Sequence, residues 1–490
     1  MYLNPGLNAL RTKSTPRRDI GLQILACASI ICGSVAAIAS VPNDLSSSDA
    51  LFSSGLFMTI GLVVPVVLQV RRHLGSVLRV DNMLMLGIVY WLLLDLLQSA
   101  YAFRDVNPEH VQTAFIALGG FAIAVQAGAS GTGWQLPKIV KSTVLQSMSV
   151  RVLHGASLVL FVLGMSRFVI ASGFDPVVLI TGLGADRWNS PWGRGELGGA
   201  NAFLDHMQYF GYTLPSLTVL IAKRAGWFST KAFSAIVTSS VMIAFLSQSG
   251  GRRIIGVVIG AAIITWILSQ RRLSPKMMFG VAASVLLLLM FMQEMLRYRN
   301  FGFGVLWAGE RPELAVRGFH VDDNMLRLAQ LIRFFPETAD YVYYGPVYHA
   351  LCLPIPRLFW PGKPLGPGFD LPALVGMTGV SLSSSIIGEL YVSFGLWAVL
   401  AGGFVMGRLA GMWNKILSLP TGPGSVLMYP FGLMAMFTGM RSMQALVQMS
   451  YIVLAWIVVS KFLSSSQAST KAVGPSSLAL TAPRSQDKVW

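Results

Sequence analysis

Met277-Met278-Phe279-Gly280-Val281-Ala282-Ala283-Ser284-Val285-Leu286-Leu287-Leu288-Leu289-Met290-Phe291-Met292-Gln293 carries no charge, and Glu294 then opens a polar, Arg-rich segment that runs to Ile386. A bilayer core is about 30 Å thick and offers the backbone no hydrogen bonds, so a crossing takes about 20 mostly apolar residues in a helix. Twelve runs have this character, at 20–41, 51–70, 82–102, 111–128, 152–173, 206–222, 232–249, 254–270, 277–293, 386–410, 424–440 and 442–460. The pattern predicts an all-α polytopic membrane protein with about 12 transmembrane helices. Composition agrees: 54% of the residues are hydrophobic and 12% charged, against about 25% charged in a soluble domain.

The runs divide the chain into an N-terminal stretch (1–19), nine spans (20–293), a long loop (294–385), three spans (386–461) and a tail (462–490). The tail is rich in Ser, Ala and Pro and is expected to be disordered. Arg11, Lys13, Arg17 and Arg18 place the N-terminus inside. Lys and Arg then collect in the loops on that side, as the positive-inside rule requires. Both termini are therefore expected inside and the 294–385 loop outside, since long loops cross largely regardless of charge. The net charge of +16 reads as topology plus attraction to anionic lipid heads, and not as a nucleic-acid footprint. Ala37-Ile38-Ala39 looks like a signal-peptidase site, but its apolar run exceeds the usual h-region of about 7–15 residues, which favours an uncleaved anchor. Cys27, Cys32 and Cys352 give no disulfide framework, zinc spacing or redox pair.

Three pieces of sequence converge on the outer face. Ser249-Gly250-Gly251-Arg252-Arg253 is a turn that leaves two guanidinium forks at the membrane edge. Such forks grip phosphate oxygens in pairs, although snorkelling to lipid phosphates would also place them there. Arg297-Tyr298-Arg299-Asn300 opens the long loop, followed by His320, Asp322 and Asp323. Val321, Met325, Leu328, Leu331, Ile332 and Phe335 then recur at helical spacing. They predict an amphipathic helix lying along the membrane surface over a cavity mouth. Either aspartate could cap this helix, and Asp323 could pair with Arg327. The third piece, Pro356-Arg357-Leu358-Phe359-Trp360-Pro361-Gly362-Lys363-Pro364, is stiffened by its prolines. Tyr341, Tyr343, Tyr344 and Tyr348 lie upstream, as aromatic faces for sugar rings or as an interfacial belt. Glu389 begins the next span, where an acid needs a partner or a task.

Arg357-Leu358-Phe359-Trp360-Pro361-Gly362-Lys363-Pro364, with Gly388-Glu389, Tyr391 and Phe394-Gly395, resembles the late region of Wzy-type oligosaccharide repeat-unit polymerases. The Gly251-Arg252-Arg253 turn is similar to their arginine-bearing turn. The resemblance implies a GT-C-like membrane glycosyltransferase of the bacterial inner membrane. It would act at the periplasmic face on undecaprenyl-pyrophosphate-linked oligosaccharides, among membrane lipids and with a chain-length-regulating membrane protein as partner. Arg252, Arg253, Arg299, Arg357 and Lys363 are then expected to bind pyrophosphate, where charge builds on the leaving group. Glu389, Asp323 or His320 would serve as base. Trp360, Tyr344 and Tyr391 would contact sugar. No metal or cofactor is expected, because the first outer loop, Pro42-Asn43-Asp44-Leu45, is poor in acids. An O-antigen ligase, delivering the chain to lipid A core, is the nearest rival. A lipid-linked oligosaccharide flippase is the non-enzyme alternative.

Overall fold

The computed structural model describes residues 20–130, 134–193, 204–248, 251–270, 274–313, 318–319, 321–357, 359–378, 380–420 and 422–472. Every regular element among them is helical. Among the described residues nine helices are long and apolar enough to cross a membrane, which makes this a multi-pass membrane protein. They are α1 (Ile20–Ala39), α2 (Phe52–Arg72), α3 (Val80–Leu97), α4 (Pro108–Ser130), α5 (Val150–Ala171), α7 (Thr230–Gln248), α9 (Pro275–Tyr298), α11 (Ser385–Asn414) and α13 (Met443–Ala472). The runs expected at 206–222, 254–270 and 424–440 also form helices, but shorter ones: α6 (Leu214–Ala225), α8 (Arg252–Leu268) and α12 (Pro423–Gly439). The tail departs from expectation, since α13 stays helical to Ala472. Residues 473–490 lie outside the described residues.

Lipid supplies no hydrophobic force between helices, so close backbone approach through small residues matters most. The α4–α11 contact is built this way. A Cβ on Gly407 would sit 2.2 Å from the Val125 carbonyl oxygen, and one on Gly128 would sit 2.2 Å from that of Phe404. The start of α3 is tied in by polar contacts instead. Asn414 donates to Asp81 at 2.8 Å and accepts from the Val80 amide at 2.9 Å, while the Tyr429 hydroxyl donates to the Leu78 carbonyl at 2.7 Å. These bonds join α3 to the end of α11 and to α12, and they fix the helix that floors the site.

Two elements differ from their sequence reading. The run at 386–410 is not one straight span. Phe394 and Gly395 leave helical geometry, and Gly395 has φ 59° and ψ −150°, a region essentially open only to glycine. The chain turns back there, so that a Cβ on Gly402 would meet Leu390 Cδ1 at 2.4 Å. The Val392 carbonyl, freed by the break, accepts from the Val342 amide at 2.9 Å. The limb carrying Glu389 is thus a separate short helix packed on the one that follows.

The second difference is α10 (Asn324–Phe334), which forms where the spacing predicted it but is largely buried within the bundle. It packs among α4, α3 and α11, with Met325, Leu328 and Leu331 fully buried. Its polar side is buried too, because it is paired internally. Arg327 reaches Asp323 and also donates to Gln330 at 2.8 Å.

Candidate functional site

A cavity of about 1940 Å³ opens where α3, α8, α9, α11 and α13 meet the long loop. Its polar end is cationic. Among the described residues Arg167, Arg187, Arg252, Arg253, Arg299 and Arg441 line it, against Asp205, Asp322, Asp370 and Glu389. Arg252 and Arg253 are the first two residues of α8, and Gly251 caps them. The first amides of a helix already carry partial positive charge, so two arginines there favour an anion. Arg252 donates to the Val321 carbonyl at 3.2 Å, and Arg253 donates to Gln448 Oε1 at 3.2 Å. Arg299 stands just past the end of α9. Burial, together with the neighbouring Arg187 and Arg252 guanidiniums, lowers its pKa from 12.5 to about 10. It stays charged at neutral pH and is repelled by its neighbours, a strain that a bound anion relieves. Arg297 and Arg311, from the same stretch, reach Glu294 instead, at 3.2 and 3.3 Å.

The first turn of α13 organises the acidic side. Arg441 Nε contacts Asp322 Oδ2 at 2.5 Å. Glu389 Oε2 accepts from the Met443 amide at 2.6 Å, and its Oε1 accepts from the Ser384 hydroxyl at 3.0 Å. Glu389 therefore lines the cavity, and its carboxyl also caps the start of α13. Gln448, which holds Arg253, lies farther along that helix.

Asp322 is positioned from inside the bundle. Asp95, a buried acid on α3, accepts from the amides of Val321 and Asp322 at 3.0 and 3.1 Å. Gln98, also beside α3, accepts from the Phe319 amide at 2.6 Å and donates to its carbonyl at 3.2 Å. Asn324 donates to the Trp91 carbonyl at 2.9 Å, within a π turn at Val89–Leu93. Such turns recur at functional sites. A segment of the long loop is in this way bonded onto α3.

The expected site is partly assembled. Arg252, Arg253, Arg299 and Glu389 line one cavity. Arg357 and Lys363 do not, and their donors are turned into their own loop. Arg357 donates to the carbonyls of Lys363 and Pro364 at 2.6 and 2.7 Å, and Lys363 Nζ donates to those of Leu353 and Ile355 at 3.0 and 2.9 Å. Prolines leave that loop short of backbone donors, so its carbonyls recruit the two cations. Burial and the nearby Arg357 also lower the Lys363 pKa. The continuation of the same loop, Leu365 to Pro372, does reach the cavity.

Trp360, Tyr344 and Tyr391 lie off the cavity as well. Tyr344 is exposed, and Tyr348 links it to Trp360 through ring contacts of 6.3 and 6.5 Å. Tyr391 is buried against Tyr341. Asp323 pairs with Arg327 and does not line the cavity, while its neighbour Asp322 does. His320 lies outside the described residues, as do Ser249 and Gly250.

Sequence reasoning did not assign Asp322, Arg441, Arg187 or Asp95 to the site. Asp95 and Arg441 did leave a signal, an acid within a span and a lone cation between two apolar runs.

Away from the arginines the cavity becomes apolar. Val257, Ile263, Ile264 and Ile267 of α8 face Val281, Val285, Leu288 and Met292 of α9, with Met83 and Leu86 of α3 alongside. This groove follows the length of α8, whose 17 residues rise roughly 25 Å. Set against protein-family models, curated proteins and solved structures, the chain matches none.

Proposed function

We propose that the chain is a Wzy-type polymerase of lipid-linked oligosaccharide repeat units. In this reading it has twelve membrane helices in a GT-C-like arrangement, resides in the bacterial inner membrane, and has both termini in the cytoplasm and the arginine end of the cavity on the periplasmic side. One observation carries the reading: a single cavity joins a cluster of arginines to an apolar groove about one membrane leaflet or more in length. A ligand that satisfies both ends is an amphiphile with an anionic head and a long hydrocarbon tail. A polyprenyl pyrophosphate is such a molecule.

The roles follow from position. Arg252, Arg253, Arg299 and Arg441 hold the pyrophosphate, and the α8 amides add to their field. The hydroxyl of the incoming unit attacks the anomeric carbon of the bound chain. The bond from that carbon to the pyrophosphate oxygen breaks, and the carrier leaves with the electron pair. The proton passes to a carboxylate at the cavity, and Asp322, held by Arg441, is better placed for this than Glu389. Glu389 has both oxygens engaged in holding α13 and Ser384. A ligase would use the same donor site with a different acceptor.

Reconstitution in liposomes with an undecaprenyl-pyrophosphate repeat unit tests the reading. A ladder of longer glycans is expected. Transfer only to added lipid A core would make the protein a ligase, and movement across the bilayer with unchanged glycan would make it a flippase.

A further inference from the structure

Beside the arginine cluster stands a tryptophan that the fold goes to some length to hold in the open. Trp188 lines the cavity and is 70% exposed. The turn that carries it is braced by side-chain hydrogen bonds. Asp186 accepts from the amides of Trp188 and Asn189 at 2.7 and 3.1 Å, and from Asn189 Nδ2 at 2.7 Å. Gln248 donates to the Ala185 carbonyl at 2.7 Å and accepts from the Trp192 indole at 3.0 Å. Arg187 lies over one face of the Trp188 ring, 4.3 Å from its centroid, which leaves the other face open. Among the described residues the indole N–H of Trp188 has no partner. Arg167, Asp205 and Gln208 line the same cavity as an interlocked polar set, with Arg167 at 2.8 Å from Asp205 and 2.6 Å from Gln208.

We infer that this turn is a carbohydrate subsite, in which Trp188 stacks on the apolar face of the sugar next to the pyrophosphate. Arg167, Asp205 and Gln208 face that sugar's hydroxyls. An open aromatic face beside a fixed polar set suits a ring that is apolar on one side and hydroxylated at its edge. A lipid tail would use the ring but not the polar set. The inference rests on the polymerase reading and moves sugar recognition away from Trp360, Tyr344 and Tyr391.

The test uses the full-length protein in nanodiscs and two probes, undecaprenyl pyrophosphate and the same lipid carrying one N-acetylglucosamine. Thermophoresis gives the two dissociation constants. The wild type is expected to bind the sugar-bearing lipid about tenfold more tightly, the scale of one aromatic stacking contact. Trp188→Ala removes that difference and leaves binding of the bare lipid unchanged, whereas Trp188→Phe keeps most of it. A difference that survives in Trp188→Ala, or that is missing from the wild type, overturns the inference. Equal weakening of both lipids in Trp188→Ala also overturns it, by making Trp188 a lipid anchor. Failure of the wild type to bind even the bare lipid overturns the polymerase reading, and this inference with it.

Discussion

Replacing Arg253 by glutamine should weaken the ligand while sparing the fold. The side chain is held by one neutral bond, to Gln448 at 3.2 Å, and no ion pair joins it to a described carboxylate. Arg441 acts on it as a like charge, and Arg252 and Arg299 line the same cavity. In the free protein its charge is therefore opposed by like charges, and neutralising it removes repulsion. With pyrophosphate bound, the guanidinium makes charge-assisted bonds worth about 1.5–3 kcal/mol each, and glutamine returns about 1 kcal/mol of a neutral one. The net loss is about 2 kcal/mol, or roughly 30-fold in Kd. The other arginines share the ligand, so a double substitution with Arg299→Gln should not be additive. Thermophoresis of undecaprenyl pyrophosphate against nanodisc-held Arg253→Gln, at fixed ionic strength, gives the Kd. A melt of the same sample gives Tm, expected at or above that of the wild type. Binding within threefold of wild type, or a clear fall in Tm, would refute the assignment of Arg253 to the anion.

Arg357→Gln should do the reverse. Its guanidinium holds the Lys363 and Pro364 carbonyls, so Tm falls while the Kd for undecaprenyl pyrophosphate stays within a few-fold of wild type. Asp95→Asn leaves one acceptor where the amides of Val321 and Asp322 need two, which costs about 1–3 kcal/mol. Hydrogen exchange at those two amides should quicken and glycan ladders should shorten; unchanged exchange would count against the tether. Gly407→Leu places a side chain against the Val125 carbonyl, only 2.2 Å from where the new Cβ would stand. Separating α4 from α11 should cost roughly 1–3 kcal/mol, seen as a lower Tm in detergent, and a wild-type melt would mean that the helices part more easily than their packing implies.

How much of this was legible in the sequence depended on whether the information was local. Apolar length is local, so all twelve runs appear as helices, and the periodicity of 321–335 gave α10. What the runs could not carry was a backbone event. Gly395 reverses the chain inside a run that reads as continuous, because the surrounding Leu390, Val392, Phe394 and Leu396 are as apolar as any span. The depth of α10 was hidden for a similar reason. Its Arg327 and Gln330 look like a solvated face until Arg327 is seen to reach Asp323, one turn back, and to donate to Gln330.

The charges of the candidate site divide along a second line, the supply of backbone acceptors and donors around each one. Arg252 and Arg253 open α8, where the free backbone groups are amides and not carbonyls, Arg299 stands in the turn just past α9, and all three line the cavity. Arg357 and Lys363 stand in a proline-rich loop whose carbonyls have few amides to bond, and they are drawn inward to satisfy them. The same accounting explains the acids. Asp323 has Arg327 one turn ahead and is consumed locally, whereas Asp322 has no such neighbour and reaches Arg441, distant in sequence. A charge in a loop of this chain is therefore free for a ligand to the extent that its own segment cannot use it, and that is a test sequence alone permits: count the unpaired backbone groups within one turn of the charge before assigning it to a site.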